Sequence, residues 1–117
     1  MGPLLVVILA FSVVSTGILR NLNQQMQEVR IEVTYTGPWE GAINNNGDAD
    51  EVSGFSDKTI RVLKPLSGEW DLSFHCEKMD GSTNMLRVTI KFKDGTVLKK
   101  AFTLEPYGSV QLSVEID

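Results

Sequence analysis

Between Pro3 and Leu19 the chain carries no charged side chain, and Arg20 is the first charge beyond that stretch. The run Pro3-Leu4-Leu5-Val6-Val7-Ile8-Leu9-Ala10-Phe11-Ser12-Val13-Val14-Ser15-Thr16-Gly17-Ile18-Leu19 just reaches the about 17–25 residues that a bilayer-spanning helix needs. It is apolar on every side, unlike the surface helix of a soluble domain. Pro3 suits a helix start, where its missing N–H costs nothing. Beyond Leu19 the pattern narrows: Leu19, Leu22, Met26 and Val29 recur at three- and four-residue spacing among polar residues, the seam of a helix bundle. These features predict one apolar α-helix over residues 1–28, about 39 Å long from Pro3 at 1.5 Å per residue. Its packing residues would be Pro3, Leu4, Leu5, Val6, Val7, Ile8, Leu9, Phe11, Val13, Val14, Ile18, Leu19, Leu22 and Met26. The first half would lie in lipid or among other helices, the second against a partner on one side. A secretory signal peptide is the rival reading, but it calls for a basic stretch ahead of Pro3, and none is present.

From Val29 the period changes. Val29, Ile31, Val33 and Tyr35 alternate with Arg30, Glu32, Thr34 and Thr36, the mark of a half-buried strand. Gly37-Pro38 turns the chain into a short segment from Trp39 to Ile43, followed by a polar loop from Asn44 to Asp50. Strands are expected over 52–55 and 59–63, and Pro65 rules out a central strand where it stands. Trp70, Leu72, Phe74 and Cys76 alternate cleanly, as do Leu86, Val88, Ile90 and Phe92. Asp94-Gly95 is the strongest hairpin signal and predicts a type I′ turn. A return strand to about Leu104, a turn at 105–108 and a last strand through Val110, Leu112, Val114 and Ile116 complete the series. The expectation for residues 29–117 is an all-β sandwich of seven to eight antiparallel strands, immunoglobulin-like.

Few groups invite chemistry. His75 is the single histidine and Cys76 the single cysteine. Neighbours on a strand face opposite ways, so the two cannot form a dyad, and Cys76 takes the inward side as a small hydrophobe. The loop Asn44-Asn45-Asn46-Gly47-Asp48-Ala49-Asp50-Glu51 is rich in oxygen, which makes Asp48 and Asp50 weak calcium candidates. The glycine and closing glutamate are misplaced for an EF-hand, and a plain polar loop or subunit contact is the better reading. No Asn-x-Ser/Thr sequon occurs, which leaves O-linked sugars as the open modification. A net charge of −4, with Lys and Arg scattered among acids, gives no face for nucleic acid. No phosphate loop, paired metal spacing or catalytic carboxylate pair is present, so the chain is expected not to be an enzyme and to need no cofactor.

The segment Met1-Gly2-Pro3-Leu4-Leu5-Val6-Val7-Ile8-Leu9-Ala10 resembles the mature N-terminus of archaeal type IV pilins and archaellins. In those proteins a peptidase removes a short basic leader and proline commonly stands third. The resemblance covers about the first 20 residues. Leu5 stands where bacterial type IV pilins usually carry glutamate, which favours the archaeal branch. Two patches, Tyr35-Thr36-Gly37-Pro38-Trp39-Glu40-Gly41 and Tyr107-Gly108-Ser109-Val110 with Ser113, are similar to a small β-domain of archaeal exported and membrane-anchored proteins. The resemblance implies a helical homopolymer: helices membrane-embedded before assembly and packed in a filament core after it, with the sandwich outside the cell for adhesion to a surface or glycan. The alternatives are a single-pass anchored accessory or binding domain at the cell surface, with Met1 as initiator, and a secreted sandwich freed by signal cleavage.

Overall fold

The computed structural model describes residues 26–116. Eight strands follow one another: β1 (Met26–Thr34), β2 (Pro38–Asn45), β3 (Asp48–Phe55), β4 (Lys58–Pro65), β5 (Trp70–Lys78), β6 (Leu86–Phe92), β7 (Val97–Thr103) and β8 (Ser109–Ile116). They form two four-stranded sheets, ordered β4-β1-β6-β7 and β3-β2-β5-β8. One compact unit comprises Glu28–Val62 together with the chain from Gly68 onward; Leu63–Ser67 falls outside it.

The alternation in the sequence is the cause of the layering. Val29, Ile31 and Val33 of β1, Trp70, Leu72, Phe74 and Cys76 of β5, and Leu86, Val88 and Ile90 of β6 are all buried, and their odd-numbered or even-numbered neighbours are not. Each such aliphatic or aromatic side chain contributes about 1.5–3 kcal/mol on leaving water. Trp39 and Trp70, each 1% exposed, fill the largest volumes between the sheets. Both indole N–H groups are satisfied: Trp39 donates to the Ser56 carbonyl at 2.9 Å and Trp70 to Asn45 Oδ1 at 2.7 Å.

The predicted helix over residues 1–28 requires correction. No helix occurs among the described residues, and Met26, Gln27 and Glu28 open β1 as strand. Met26, placed above in a helical stripe, is the first residue of that strand and half-buried. Sheet pairing outweighs the i, i+3 spacing there. The Lys93 amide donates to the Glu28 carbonyl at 3.3 Å, and the Glu28 carboxylate meets Arg30 at 2.7 Å, a spacing of two that only an extended chain puts on one side. The other expected packing residues, from Pro3 to Leu22, lie outside the described residues.

The expected two-sheet sandwich of antiparallel strands is present, with β1 flanked by β4 and β6 in one sheet and β2 by β3 and β5 in the other. Pro65 ends β4 at the edge of its sheet, where a residue without an N–H removes no ladder bond.

Two turns depart from expectation in opposite ways. The segment expected to be a polar loop is a tight hairpin: β2 pairs with β3 as far as Asn45 opposite Asp48. Asn46 and Gly47 both take positive φ, at 56° and 92°, which defines a type I′ turn. At Asp94-Gly95 only the glycine does so, at 100°. There Phe92 donates to the Thr96 carbonyl at 2.9 Å and Gly95 to the Phe92 carbonyl at 3.0 Å, a three-residue loop rather than a I′ turn. Asp94 Oδ1 accepts from the Thr96 amide at 2.9 Å, and this bond holds its carboxyl below the usual carboxylate range.

Candidate functional site

Three parts of the structure gather polar chemistry: a buried cluster at one end of the sandwich and the outer faces of the two sheets.

The cluster forms where the chain crosses between sheets. Tyr35, 1% exposed, donates its backbone N–H to Asp57 Oδ1 at 2.9 Å and its hydroxyl to Asp80 Oδ1. Lys78, at the end of β5, is fully buried. Its ammonium donates to the Ser82 carbonyl at 2.9 Å and lies 5.5 Å from the centre of the Tyr35 ring, within the range of a cation–π contact. The Asp80 carbonyl accepts from the Tyr107 amide at 3.0 Å, the Gly108 carbonyl from the Lys78 amide at 2.9 Å, and the Pro38 carbonyl from the Met79 amide at 3.0 Å. The two patches Tyr35–Gly41 and Tyr107–Val110, distant in sequence, are thus tied together through residues 78–82. Burial, reinforced by the bond to Asp80, raises the Tyr35 phenol above its ordinary pKa. With Tyr35 and Lys78 closed off from solvent, the cluster is a lock on four inter-sheet connections rather than a place where a substrate can reach a reactive group.

The outer face of β3-β2-β5-β8 is acidic. Glu40, Glu51, Asp71, Glu77 and Glu115 are exposed on it, and His75 is its one basic group among the described residues. Glu40 stands directly opposite Glu77 across β2 and β5, a pairing of like charges that costs stability. The residues Glu40, Ala42, Glu51, Ser53, His75 and Glu77 line an open depression of about 530 Å³. His75 Nε2 lies 3.9 Å from Glu77 Oε1, both side chains about half exposed. Cys76 is turned into the core beside it, 0% exposed. Burial, with the Glu77 charge adding to it, pushes its thiol up to about 12, so it stays protonated and unreactive.

The outer face of β4-β1-β6-β7 is basic. Arg30, Arg61, Arg87, Lys91 and Lys100 stand on it with Glu28 and Glu32. Both of those carboxylates are engaged: Glu28 by Arg30 at 2.7 Å and Arg61 at 3.5 Å, Glu32 by Lys91 at 3.0 Å. The Arg30 bond above all draws the Glu28 carboxyl below its ordinary pKa. Arg87 and Lys100 have no ion-pair partner among the described residues, and Phe102, 58% exposed, stands opposite Arg87.

Asp48 and Asp50, the calcium candidates, are both exposed on the edge strand β3, opposite Asn45 and Ile43. Among the described residues no group of three or more His, Cys, Asp and Glu side chains is arranged to hold a metal ion. The neighbouring Asn44 Oδ1 is turned to the Gly47 amide at 2.8 Å, in service of the hairpin. Sequence reasoning missed both the cluster and the separation of charge between the faces. The signal for the first was the recurrence of Tyr, Gly and Asp at turn positions; the second depends on which sheet each strand joins. Comparison with protein-family models, with curated proteins and with solved structures finds no match.

Proposed function

We propose that this chain is the structural subunit of an archaeal type IV pilus-like extracellular filament. The uncharged N-terminal segment of each copy lies in the filament core, and the sandwich is carried outside for adhesion to a surface or glycan. The observation that carries the reading is the junction between the two parts. The uncharged stretch 3–19 leads through residues 20–25 directly into β1, an inner strand bonded within its sheet on both sides. Burying such a stretch away from water is strongly favourable. Lipid offers that burial before assembly, and like segments of neighbouring copies offer it afterwards. A pull on the segment enters the sandwich along β1, where the β6 ladder runs from Val29 opposite Phe92 to Thr34 opposite Arg87. An inner strand shares that load between two neighbours, which suits a subunit held by its N-terminal end.

The subunit acts by assembly, without catalysis or cofactor. A single-pass anchored accessory domain is the competing outcome of the test. Antibodies to the sandwich should decorate filaments along their length on the source cells, and deletion of the gene should remove those filaments. Filaments that persist in the deletion strain, with antibody confined to the cell envelope, would replace the subunit reading with the accessory one.

A further inference from the structure

The two outer faces of the sandwich carry opposite charge, and the excess on each has no ion-pair partner among the described residues. On the β4-β1-β6-β7 face both carboxylates are taken by Arg30, Arg61 and Lys91, which leaves Arg87 and Lys100 over. On the β3-β2-β5-β8 face Glu40 and Glu51 have no ion pair among the described residues, and Glu77 has only the distant His75. The spacing also corresponds. Lys100 pairs with Thr89 and Phe102 with Arg87, so Arg87 and Lys100 are diagonal neighbours on β6 and β7. Glu40 pairs with Ser53 and Ala42 with Glu51, so Glu40 and Glu51 are diagonal neighbours on β2 and β3. Diagonal neighbours on antiparallel strands lie about 7–8 Å apart, the same separation on both faces.

We propose that a second copy of this chain docks its basic β4-β1-β6-β7 face, led by Arg87 and Lys100, onto the acidic face around Glu40, Glu51 and Glu77. The contact supplies the lateral packing of the outer domains and in that sense rests on the filament reading. Three features select another copy as the occupant. The charges are complementary in sign and in spacing. The open depression between Glu40 and Glu77 receives the long cationic side chains and the exposed Phe102 ring. A contact between two different faces of one molecule is head-to-tail, and such contacts build an open helical array where the rotation between copies does not close into a ring, which is the geometry a filament surface requires. Each pairing is weak and screened by salt, and repetition along an assembly multiplies it.

The test is zero-length carbodiimide cross-linking of the full chain, which joins only carboxylates and amines in contact. Unlabelled and ¹⁵N-labelled chains are mixed, and isotope-mixed peptides are read by mass spectrometry, once in filaments and once in detergent-solubilised protein. The expected result is inter-chain links from Glu40, Glu51 or Glu77 to Lys100 or Lys91. The Glu51 links, whose own carboxylate is untouched, should fall at least about tenfold in Glu40→Lys/Glu77→Lys and return when that variant is mixed with Arg87→Glu/Lys100→Glu. Glu40→Gln/Glu77→Gln serves the same purpose should the reversal unfold the domain. Filaments in which these links are absent, or links that survive charge reversal, would overturn the contact while leaving the filament reading intact. Links found in detergent from a chain that forms no filaments would keep the contact and remove the filament.

Discussion

Gly54 lies beneath the indole of Trp39, and the consequence of adding one methyl there follows from the distances. A Cβ at position 54 would stand 2.7 Å from Trp39 Cζ2, 2.8 Å from Cε2 and 2.9 Å from Nε1, where carbon atoms prefer about 3.5–4.0 Å. The indole cannot withdraw, because it is 1% exposed and its N–H is held by the Ser56 carbonyl at 2.9 Å. Gly54 is not among the positive-φ residues, so crowding is the only term against alanine. Overpacking of this kind costs about 1–3 kcal/mol, and alanine recovers about 0.4–1 kcal/mol by narrowing the unfolded ensemble. The net loss is about 1–2 kcal/mol, which lowers the melting midpoint by about 4–8 °C per kcal/mol for a domain of this size. Thermal unfolding of the full chain in mild detergent, followed by near-ultraviolet circular dichroism, measures it. The decisive comparison is a double-mutant cycle with Trp39→Leu, which removes the three atoms that the methyl strikes. In that background Gly54→Ala should cost nothing or stabilise slightly. An equal loss in both backgrounds, or no loss in the parent chain, would refute the crowding argument.

Other positions give equally definite outcomes. Gly47 has a φ of +92° and nothing within 4 Å of an added Cβ, so Gly47→Ala should cost about 1 kcal/mol from backbone conformation alone, with no partner substitution able to restore it. The Cys76 thiol ionises near 9.0 when unfolded and about 12 when folded. Stability should therefore be complete below pH 9 and fall by up to about 1.4 kcal/mol per pH unit between those values; in urea titrations Cys76→Ala should flatten that decline. Tyr35 is raised in the same direction from 10.0, so Tyr35→Phe should lessen the loss above pH 10. At neutral pH the same substitution should cost about 2 kcal/mol for the bond to a carboxylate. Calcium at about 1 mM should not move the melting midpoint, whereas a site with a Kd of about 10 μM would add about 2.7 kcal/mol.

Where one face of a strand is buried, the sequence already described it. The alternation through β5 and β6 placed Trp70, Leu72, Phe74, Leu86, Val88 and Ile90 inward, and the same parity set His75 outside and Cys76 inside. Where burial is not one-sided the pattern carried no such information. Asp48, Ala49, Asp50 and Glu51 are all exposed on the free edge of β3, so their composition resembled a loop although they are paired along their length. The choice between Asn46-Gly47 and Asp94-Gly95 as the I′ turn was settled by loop length. Pairing of Asn45 with Asp48 leaves two residues in one loop, and the bond from Phe92 to Thr96 leaves three in the other. At Met26–Glu28 a local helical spacing lost to a ladder partner about 65 residues away in sequence, a long-range pairing that overrides local preference. The charge separation between faces was invisible for a related reason. Arg87 and Glu77 each look like ordinary outward residues until the sheet order assigns β6 and β5 to opposite sides.

The most direct test of the filament reading is negative-stain electron microscopy of material sheared from the source cells, with mass spectrometry of the subunit's N-terminus. The account predicts filaments built of this chain, with the uncharged stretch 3–19 retained and resistant to protease while the sandwich is accessible. Recovery of the chain only from detergent-extracted membranes, with no filament containing it, would contradict the account.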